Sequence, residues 1–200
     1  MKKLIVLSIS LINLAHAGFY FSGGLGMTHN NDKLYSSSSN YINGGEAQYT
    51  GSLNMGYQPV SNTATGGGYF FDFGLGIETG DNLMQSSNNA EVKKDFQLLM
   101  RVGSMFQASQ RTFPYVFVAG LYNMDVDLES SNLSTKTTKD IFGMGGGVGI
   151  RAFAGQNGFY DFSYLYYTAD EESLGTYSDS SNANYTLSNG VFTAAIGYMF

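Results

Sequence analysis

Five ionisable residues share one phase of the alternating runs that fill this sequence. The other members of that phase are mostly small or polar, so we expect it to face a narrow interior. The five residues are Asp72, Glu78, Arg101, Arg151 and Asp161. Because unpaired charge in a narrow interior is costly, the carboxylates and guanidinium groups should pair with each other. The pattern therefore predicts a salt-bridged plug, and the alternative is a gate or a narrow ion pathway.

Residue types used by nucleophilic hydrolases occur together near the start of the chain. His29 is followed by Asp32 and by the serine run Ser36–Ser39. A histidine base, a serine nucleophile and a carboxylate can form a catalytic triad. Any serine-rich loop supplies such partners, however, and no spacing here is distinctive. We therefore predict no catalytic residues and interpret His29 as an ordinary residue at the rim of a strand.

Metal and phosphate sites are not indicated by the remaining clusters. The acidic stretches Asp125–Glu129 and Asp170–Glu172 have no fixed ligand spacing. The glycines of Gly143–Gly149 are not followed by Lys-Ser or Lys-Thr, nor by a helical pattern, so they do not form a phosphate loop. We predict no metal and no cofactor, and we expect the glycines to make room for Tyr167 or Arg101.

Eight runs with a period of two must position these residues, and each is about as long as a tilted strand that crosses a bilayer. The predicted strands are Gly18–His29, Gln48–Gln58, Gly68–Thr79, Asp95–Gln107, Phe113–Asn123, Asp140–Ala152, Phe159–Thr168 and a last one from about Thr186. The connections after the odd-numbered runs are polar and mostly long, whereas the others are shorter. This asymmetry predicts long loops outside and short turns on the periplasmic side.

Side-chain volume indicates which phase faces inward. The interior of an eight-stranded barrel is just wide enough for side chains to fill, so it cannot hold most of the 15 Phe and 15 Tyr. We therefore place the small and polar phase inside and the aromatic phase outside, where lipid solvates it. The fifth run has an ambiguous phase, and we favour Tyr115, Phe117, Ala119 and Leu121 as its outward side.

The predicted fold is all-β: a closed, antiparallel, eight-stranded transmembrane β-barrel of up-and-down topology. Closure would pair every backbone N–H and C=O group, which a bilayer demands. The alternative is a soluble barrel of lipocalin type, which would carry the aromatic phase inside.

The N-terminal segment has the pattern of an export signal. Lys2 and Lys3 precede an apolar run, Leu4–Leu14, and Ala15-His16-Ala17 fits a small-x-small cleavage site. We predict a signal peptide over residues 1–17, cleaved after Ala17, and one barrel domain over residues 18–200. The lack of cysteine excludes a disulfide framework. The formal net charge of -6 argues against a nucleic-acid partner.

The final run, Val191–Phe200, carries large apolar side chains on one face. These are Phe192, Ile196, Tyr198 and Phe200. Together with the strand that starts at Pro114 and the glycine-rich aromatic runs, this ending resembles the small eight-stranded outer-membrane barrels. That family includes the OmpA transmembrane domain, OmpX, OmpW and the opacity proteins. The resemblance implies an outer-membrane location, a lipid environment and a terminal strand that the barrel assembly machinery reads as a signal.

Function stays open after this resemblance, because the family includes adhesins, immune-evasion proteins, small-solute channels and lipid-modifying enzymes. The stretches Tyr35–Tyr41 and Thr176–Tyr185 combine Tyr with Ser and Asn, which is typical of adaptable binding loops. We predict a monomeric, non-enzymatic surface barrel whose outer loops serve adhesion to a host or surface ligand, surface masking or the structure of the envelope. A small channel for ions or polar solutes is the alternative, and a lipid-modifying enzyme is a third.

Overall fold

The computed structural model describes residues 18–35, 42–43, 47–58, 67–79, 82–84, 90–94, 96–129, 133–177 and 180–200. Its strands are β1 (Phe19–Asn30), β2 (Lys33–Tyr35), β3 (Ile42–Asn43), β4 (Ala47–Tyr57), β5 (Gly67–Thr79), β6 (Asn82–Met84), β7 (Ala90–Lys93), β8 (Phe96–Phe106), β9 (Thr112–Glu129), β10 (Leu133–Lys136), β11 (Lys139–Ala154), β12 (Gly158–Ala169), β13 (Glu172–Tyr177), β14 (Asn182–Thr186) and β15 (Ser188–Met199). Over these residues, no helix is long and apolar enough to span a membrane. The predicted signal peptide, residues 1–17, lies outside the described residues.

Eight long strands close into a barrel. Their order around it is β1, β4, β5, β8, β9, β11, β12 and β15, and β15 pairs with β1. Every one of these pairings is antiparallel. At the end of the closing seam, Phe200 N donates to Phe19 O at 2.8 Å. Each strand pairs with the next barrel strand along the chain, which confirms the predicted closed, antiparallel, up-and-down barrel.

A continuous apolar band covers the outside of the barrel. Exposed side chains of this band include Phe21, Leu25, Leu53, Phe73, Leu75, Met100, Val118, Met144, Phe162 and Ile196. Aromatic side chains follow at the end with the short turns, among them Tyr57, Tyr69, Phe106 and Tyr198. An apolar surface of this extent is stable against lipid rather than water, and the aromatic edge is typical of membrane barrels. The band therefore marks the membrane-spanning part, and it excludes the soluble alternative.

The fifth barrel strand, β9, has the opposite phase from the one predicted. Tyr115, Phe117 and Leu121 are at most 5% exposed and point into the lumen, and Ala119 lies with them. Val116 and Val118 of the other phase face outward, as does Tyr122. The prediction was wrong because both phases of this strand are apolar, so the preference for aromatic residues outside could not decide between them.

Glycines on neighbouring strands make the space that these inward rings occupy. A side chain at Gly147 would collide with the Phe117 ring, and one at Gly149 would collide with the Tyr115 ring. Of the two residues expected beside this glycine run, Tyr167 lies against Gly145, whereas Arg101 lies against β5. Further rings are buried inside, including Tyr20, Phe70 and Phe159. The lumen is therefore more aromatic than the sequence predicted.

The connections at the end opposite the short turns contain paired strands. There, β10, β13, β14, β2 and β3 form a separate five-stranded sheet, which we call the outer sheet. The strands β7 and β6 extend the distal part of β9. The outer sheet has its own buried side, which packs in one apolar cluster with β9. The fully buried members of this cluster include Leu34, Val126, Leu128, Leu174, Ala183, Tyr185 and Leu187.

Candidate functional site

The first lumen ion pair joins β5 and β8, where Asp72 and Arg101 lie directly opposite each other in the ladder. Arg101 donates from Nε to Asp72 Oδ1 at 2.8 Å and from Nη2 to Oδ2 at 2.7 Å. The Tyr20 hydroxyl donates to the same carboxylate at 2.7 Å. The Asp72 carboxylate is fully buried, so these three bonds satisfy a charge that would otherwise be costly.

The second ion pair joins β11 and β12, where Arg151 lies opposite Asp161. Arg151 donates from Nε to Asp161 Oδ2 at 2.8 Å and from Nη1 to Gln58 Oε1 at 2.8 Å. The Tyr115 hydroxyl donates to Asp161 Oδ1 at 2.5 Å. Asp72 and Asp161 therefore each have one arginine and one tyrosine as donors.

Aromatic rings lie beside both guanidinium groups. Arg151 lies 4.4 Å from the ring centroids of Tyr20 and Phe159, and Arg101 lies 5.3 Å from that of Phe117. These are cation–π distances, and such contacts are strongest where water is excluded. The ion pairs, their tyrosines and these rings fill one part of the lumen, which we call the inner plug. Its polar members are Tyr20, Gln58, Asp72, Arg101, Tyr115, Arg151 and Asp161.

Four of the five charges singled out in the sequence meet in this plug. The side chain of the fifth, Glu78, lies outside the part that the structure describes. Sequence reasoning missed the roles of Tyr20, Tyr115 and Gln58. Tyr20 shares the small and polar phase of its strand with Ser22 and Gly24, so the alternation was a usable signal that its side chain faces the lumen. The role of Tyr115 was missed because the phase predicted for β9 was wrong and placed this side chain outside the barrel.

A small polar cavity lies in the lumen beside the inner plug, with a volume of about 50 Å³. Its polar lining includes Ser22, Thr50, Ser52, Asn54, Gln97, Ser163 and Thr193. Among the described residues, Ser52 Oγ and Asn54 Oδ1 are buried without a hydrogen-bond partner. A polar cavity of this size has room for about two water molecules.

Asp32 connects the barrel to the outer sheet. Its fully buried carboxylate accepts from the Tyr185 hydroxyl at 2.5 Å and from Ser188 N at 3.0 Å. Lys94 Nζ lies 3.5 Å away, and its side chain is 3% exposed. These residues come from three different connections between barrel strands. We call Asp32, Lys94 and Tyr185 the outer junction.

Amide side chains bond across strands near the same end of the lumen. Gln97 Nε2 donates to Asn123 Oδ1 at 2.9 Å and to the Tyr167 hydroxyl at 3.1 Å. Asn30 Nδ2 donates to Gln48 Oε1 at 2.8 Å. Polar side chains therefore link strands across the lumen at this end, whereas charged groups do so in the inner plug.

The candidate triad is not assembled in the part of the chain that the structure describes. Asp32 is held by Lys94 and Tyr185, while His29 lies on the outward phase of β1, in line with Met27. The third element, Ser36–Ser39, lies outside the described residues. Within the described ranges, no group of three or more His, Cys, Asp or Glu is placed to hold a metal ion.

The acidic stretch on β9 forms a bulge where this strand continues beyond the apolar band. Asp125 has a positive φ of 52°, and the register between β9 and β11 shifts there. The Asp140 carboxylate accepts from the Tyr122 hydroxyl at 2.7 Å and from Asp125 N at 3.2 Å. These two hydrogen bonds, the one from Tyr122 first, hold the pKa of Asp140 below its usual value. The carboxylate therefore holds the bulge in place.

The side of the outer sheet that faces away from the apolar cluster carries polar side chains in cross-strand rows, of which Lys33, Thr135 and Asn182 are exposed and the others half-buried. Paired residues of neighbouring strands point to the same side. One row holds Thr135, Thr176 and Asn182, a second holds Ser173, Asn184 and Tyr35, and a third holds Thr186 and Lys33. We call these eight residues the outer face. Lys33 is its only charged member, and Tyr35 is its only aromatic member.

The terminal strand places Phe192, Ile196, Tyr198 and Phe200 on the outward surface. The ring of Phe200 contacts those of Phe21 and Tyr198, with centroids 5.8 Å and 5.2 Å away. These rings lie across and beside the closing seam between β15 and β1. The predicted role of these residues as an assembly signal stays a prediction.

Comparisons with known proteins identify the fold. No family model and no curated protein matches the sequence. The solved structure of OprG from Pseudomonas aeruginosa matches with a TM-score of 0.55 and 15% identity, over 92% of this chain and 96% of that one. Ail, the attachment invasion locus protein of Yersinia pestis, matches with a TM-score of 0.51 and 13% identity, over 92% and 99%.

Two further solved structures match the chain. Neisserial surface protein A matches with a TM-score of 0.50 and 15% identity, over 91% of this chain and 97% of that one. Ail has also been solved in complex with the heparin analogue sucrose octasulfate. At such low identities the similarity shows a shared fold and carries no residue-level correspondence.

Proposed function

Since the chain has the fold of the small eight-stranded outer-membrane barrels, we propose that it is an outer-membrane protein that presents its outer sheet for recognition at the cell surface and catalyses no reaction. The observation that carries this proposal is the outer sheet itself. Its strands bury an apolar side against β9 and leave a separate polar side exposed. A preformed surface of this kind loses little conformational entropy on binding.

The buried carboxylate of Asp32 adds to this support. It fixes the outer sheet to the barrel through Tyr185 and Lys94, so the exposed rows keep a defined orientation above the membrane. Because the Asp32 carboxylate contacts Tyr185 and Lys94, it is not placed to orient a catalytic histidine. His29 lies on the outward phase of β1. Both facts favour a binding role over catalysis.

The test is an attachment assay with bacterial cells that produce the protein. Wild type is compared with an outer-face variant, Asn182→Asp with Asn184→Asp, and with the control Gln110→Asp on an exposed short turn at the opposite end. We expect wild type and the control to increase attachment to epithelial cells or to immobilised matrix components, and the outer-face variant to return to background. Wild-type cells that attach no better than cells without the protein would contradict the proposal. Heat-modifiable gel mobility checks that each barrel is folded.

The barrel assembly machinery is the proposed partner of the terminal strand. Phe200 closes the seam through its backbone bond to Phe19 and its ring contact with Phe21. Deletion of Phe200 should therefore impair insertion and leave unassembled protein in the periplasm. The measurement is the amount of folded protein in purified outer membranes, and normal amounts would argue against an assembly signal in these residues.

A channel for small polar solutes is the second candidate, and the polar cavity beside the inner plug favours it. The plug argues against conduction, because paired arginines and rings occupy the lumen next to that cavity. We expect the refolded chain to give no single-channel steps in planar bilayers. Reproducible steps from the wild-type protein would favour the channel instead.

A further inference from the structure

The outer face consists almost entirely of uncharged polar side chains. Its eight side chains comprise three threonines, two asparagines, one serine, one tyrosine and one lysine. Seven of them are therefore uncharged and polar, on a chain with a formal net charge of -6. The amides and hydroxyls both donate and accept hydrogen bonds. This chemistry matches a ligand that itself presents many hydroxyl groups and no charge.

Other ligand classes fit this surface less well. A sulfated or phosphorylated ligand requires clustered basic groups, whereas the outer face has Lys33 alone and the exposed Asp170 and Glu171 lie on the connection that leads into β13. The centre of a protein–protein interface is enriched in aromatic and apolar anchors, and Tyr35 is the one such residue here. A lipid would require an apolar patch, which the three rows do not provide.

The spacing of the rows suits a compact, ring-shaped ligand. Neighbouring strands lie about 4.8 Å apart, and alternate residues of one strand lie about 6.7 Å apart. Asn184 is therefore adjacent to Tyr35 across one ladder and to Ser173 across the other. Asn182 and Thr176 lie together in the next row. A partly buried tyrosine ring beside a row of amides and hydroxyls offers an apolar surface and hydrogen-bonding groups at once.

We propose that the outer face binds a neutral carbohydrate, with the Tyr35 ring against one face of a sugar and with Asn184 and Thr176 bonded to its hydroxyls. This inference rests on the proposed function, since it names the ligand class of the recognition surface. It does not depend on the lumen, on the inner plug or on the terminal strand.

The experiment uses the full barrel in lipid nanodiscs on a printed glycan array. The probes are neutral oligosaccharides of glucose, galactose, mannose, N-acetylglucosamine and N-acetylgalactosamine, each with its sialylated and sulfated counterparts. The variants are Tyr35→Ala, Tyr35→Phe and Asn184→Ala. The matched control is Gln110→Ala, which removes an exposed amide from the short turn at the opposite end. Heat-modifiable mobility is recorded for every variant.

We expect wild type to bind at least one neutral glycan and to gain nothing from added sialic acid or sulfate. Tyr35→Ala and Asn184→Ala should each weaken that binding about tenfold, equivalent to the loss of one good contact. Tyr35→Phe keeps the ring and should stay within about twofold of wild type, as should Gln110→Ala. This pattern separates the loss of a ring from a general loss of structure.

Three results would overturn the inference: no neutral glycan bound, stronger binding to the sulfated or sialylated counterparts, or equal binding by Tyr35→Ala and wild type. The attachment assay then shows whether the proposed recognition function also fails. If attachment still depends on Asn182 and Asn184, the outer sheet remains a recognition surface and its ligand is not a neutral sugar. If attachment is also absent, the proposed function fails together with the inference.

Discussion

The inner plug and the outer junction both bury charge, but they are built in different ways. In the plug, Asp72 faces Arg101 and Asp161 faces Arg151 as direct partners in the ladders of adjacent strands. At the junction, Asp32 meets Tyr185, which is 153 residues away in the sequence. The plug therefore follows from strand register, whereas the junction requires that separate connections fold together. The two sites should accordingly fail in different ways when a charge is removed.

The largest effect is expected in the plug. Arg101→Ala leaves the Asp72 carboxylate buried with only the Tyr20 hydroxyl as a donor from the plug, so we expect a loss of about 3–5 kcal/mol in the free energy of unfolding. The measurement is urea unfolding of the barrel in lipid vesicles, followed by gel mobility. The double variant Asp72→Leu with Arg101→Met removes both charges and should be less destabilised than Arg101→Ala. Equal stability of Arg101→Ala and wild type would show that the pair is not a structural element.

A smaller and more local effect is expected at the junction. Asp32→Asn removes a countercharge of the buried Lys94, at a cost of about 1–3 kcal/mol, and this cost should be confined to the outer sheet. Limited proteolysis of intact vesicles should cut the outer sheet faster, while the barrel keeps its heat-modifiable mobility. Asp170→Asn, at an exposed carboxylate of the same end, is the control and should behave as wild type. If Asp32→Asn unfolds the barrel as readily as Arg101→Ala, the two regions are not independent.

The smallest effect is expected at the bulge between the two regions. Because the folded pKa of Asp140 is lowered, its contribution to stability is present above the unfolded pKa and is lost as the pH falls through the folded pKa. Amide hydrogen exchange at Asp125, corrected for intrinsic rates, should keep its protection at neutral pH and lose it as the pH falls below the ordinary aspartate pKa of about 3.9. Asp140→Asn should show little of this pH dependence. Identical pH profiles for both proteins would exclude Asp140 as the group that fixes the bulge.

The contrast between the inner plug and the outer junction also explains which parts of the structure could be predicted from the sequence. The barrel strands are long, and on β1, β5 and β12 one phase is clearly aromatic. The number of strands, their topology and the phase that faces outward could therefore be predicted from the alternation of side chains. The pairing of the lumen charges followed from the same alternation, because residues on one phase of adjacent strands share the interior. On β9 the expectation that the more aromatic phase faces outward failed, since Val116 and Val118 are as compatible with lipid as Phe117 is.

The outer sheet could not be predicted in this way. Its strands are short, and each buried residue stands alone among polar neighbours, as Leu34 does between Lys33 and Tyr35. Such a pattern cannot be distinguished from a polar loop until the partner strands are known. β2 pairs with β3 on one side and, on the other, with β14, which comes almost at the other end of the chain. Asp32 was therefore noticed only as a carboxylate near a histidine, and its part in the junction depends wholly on long-range pairing.

The pairing of β2 with β14 has a consequence for the maturation of the protein. These strands become neighbours only where the closing seam brings β1 beside β15, because contacts between distant segments of a chain form at a high entropic cost until other contacts bring them close. An unfinished barrel would lack the row that contains Tyr35 and Asn184. The outer face therefore forms only after the barrel has closed. A ligand that recognises it would bind closed barrels and not barrels whose closing seam has yet to form.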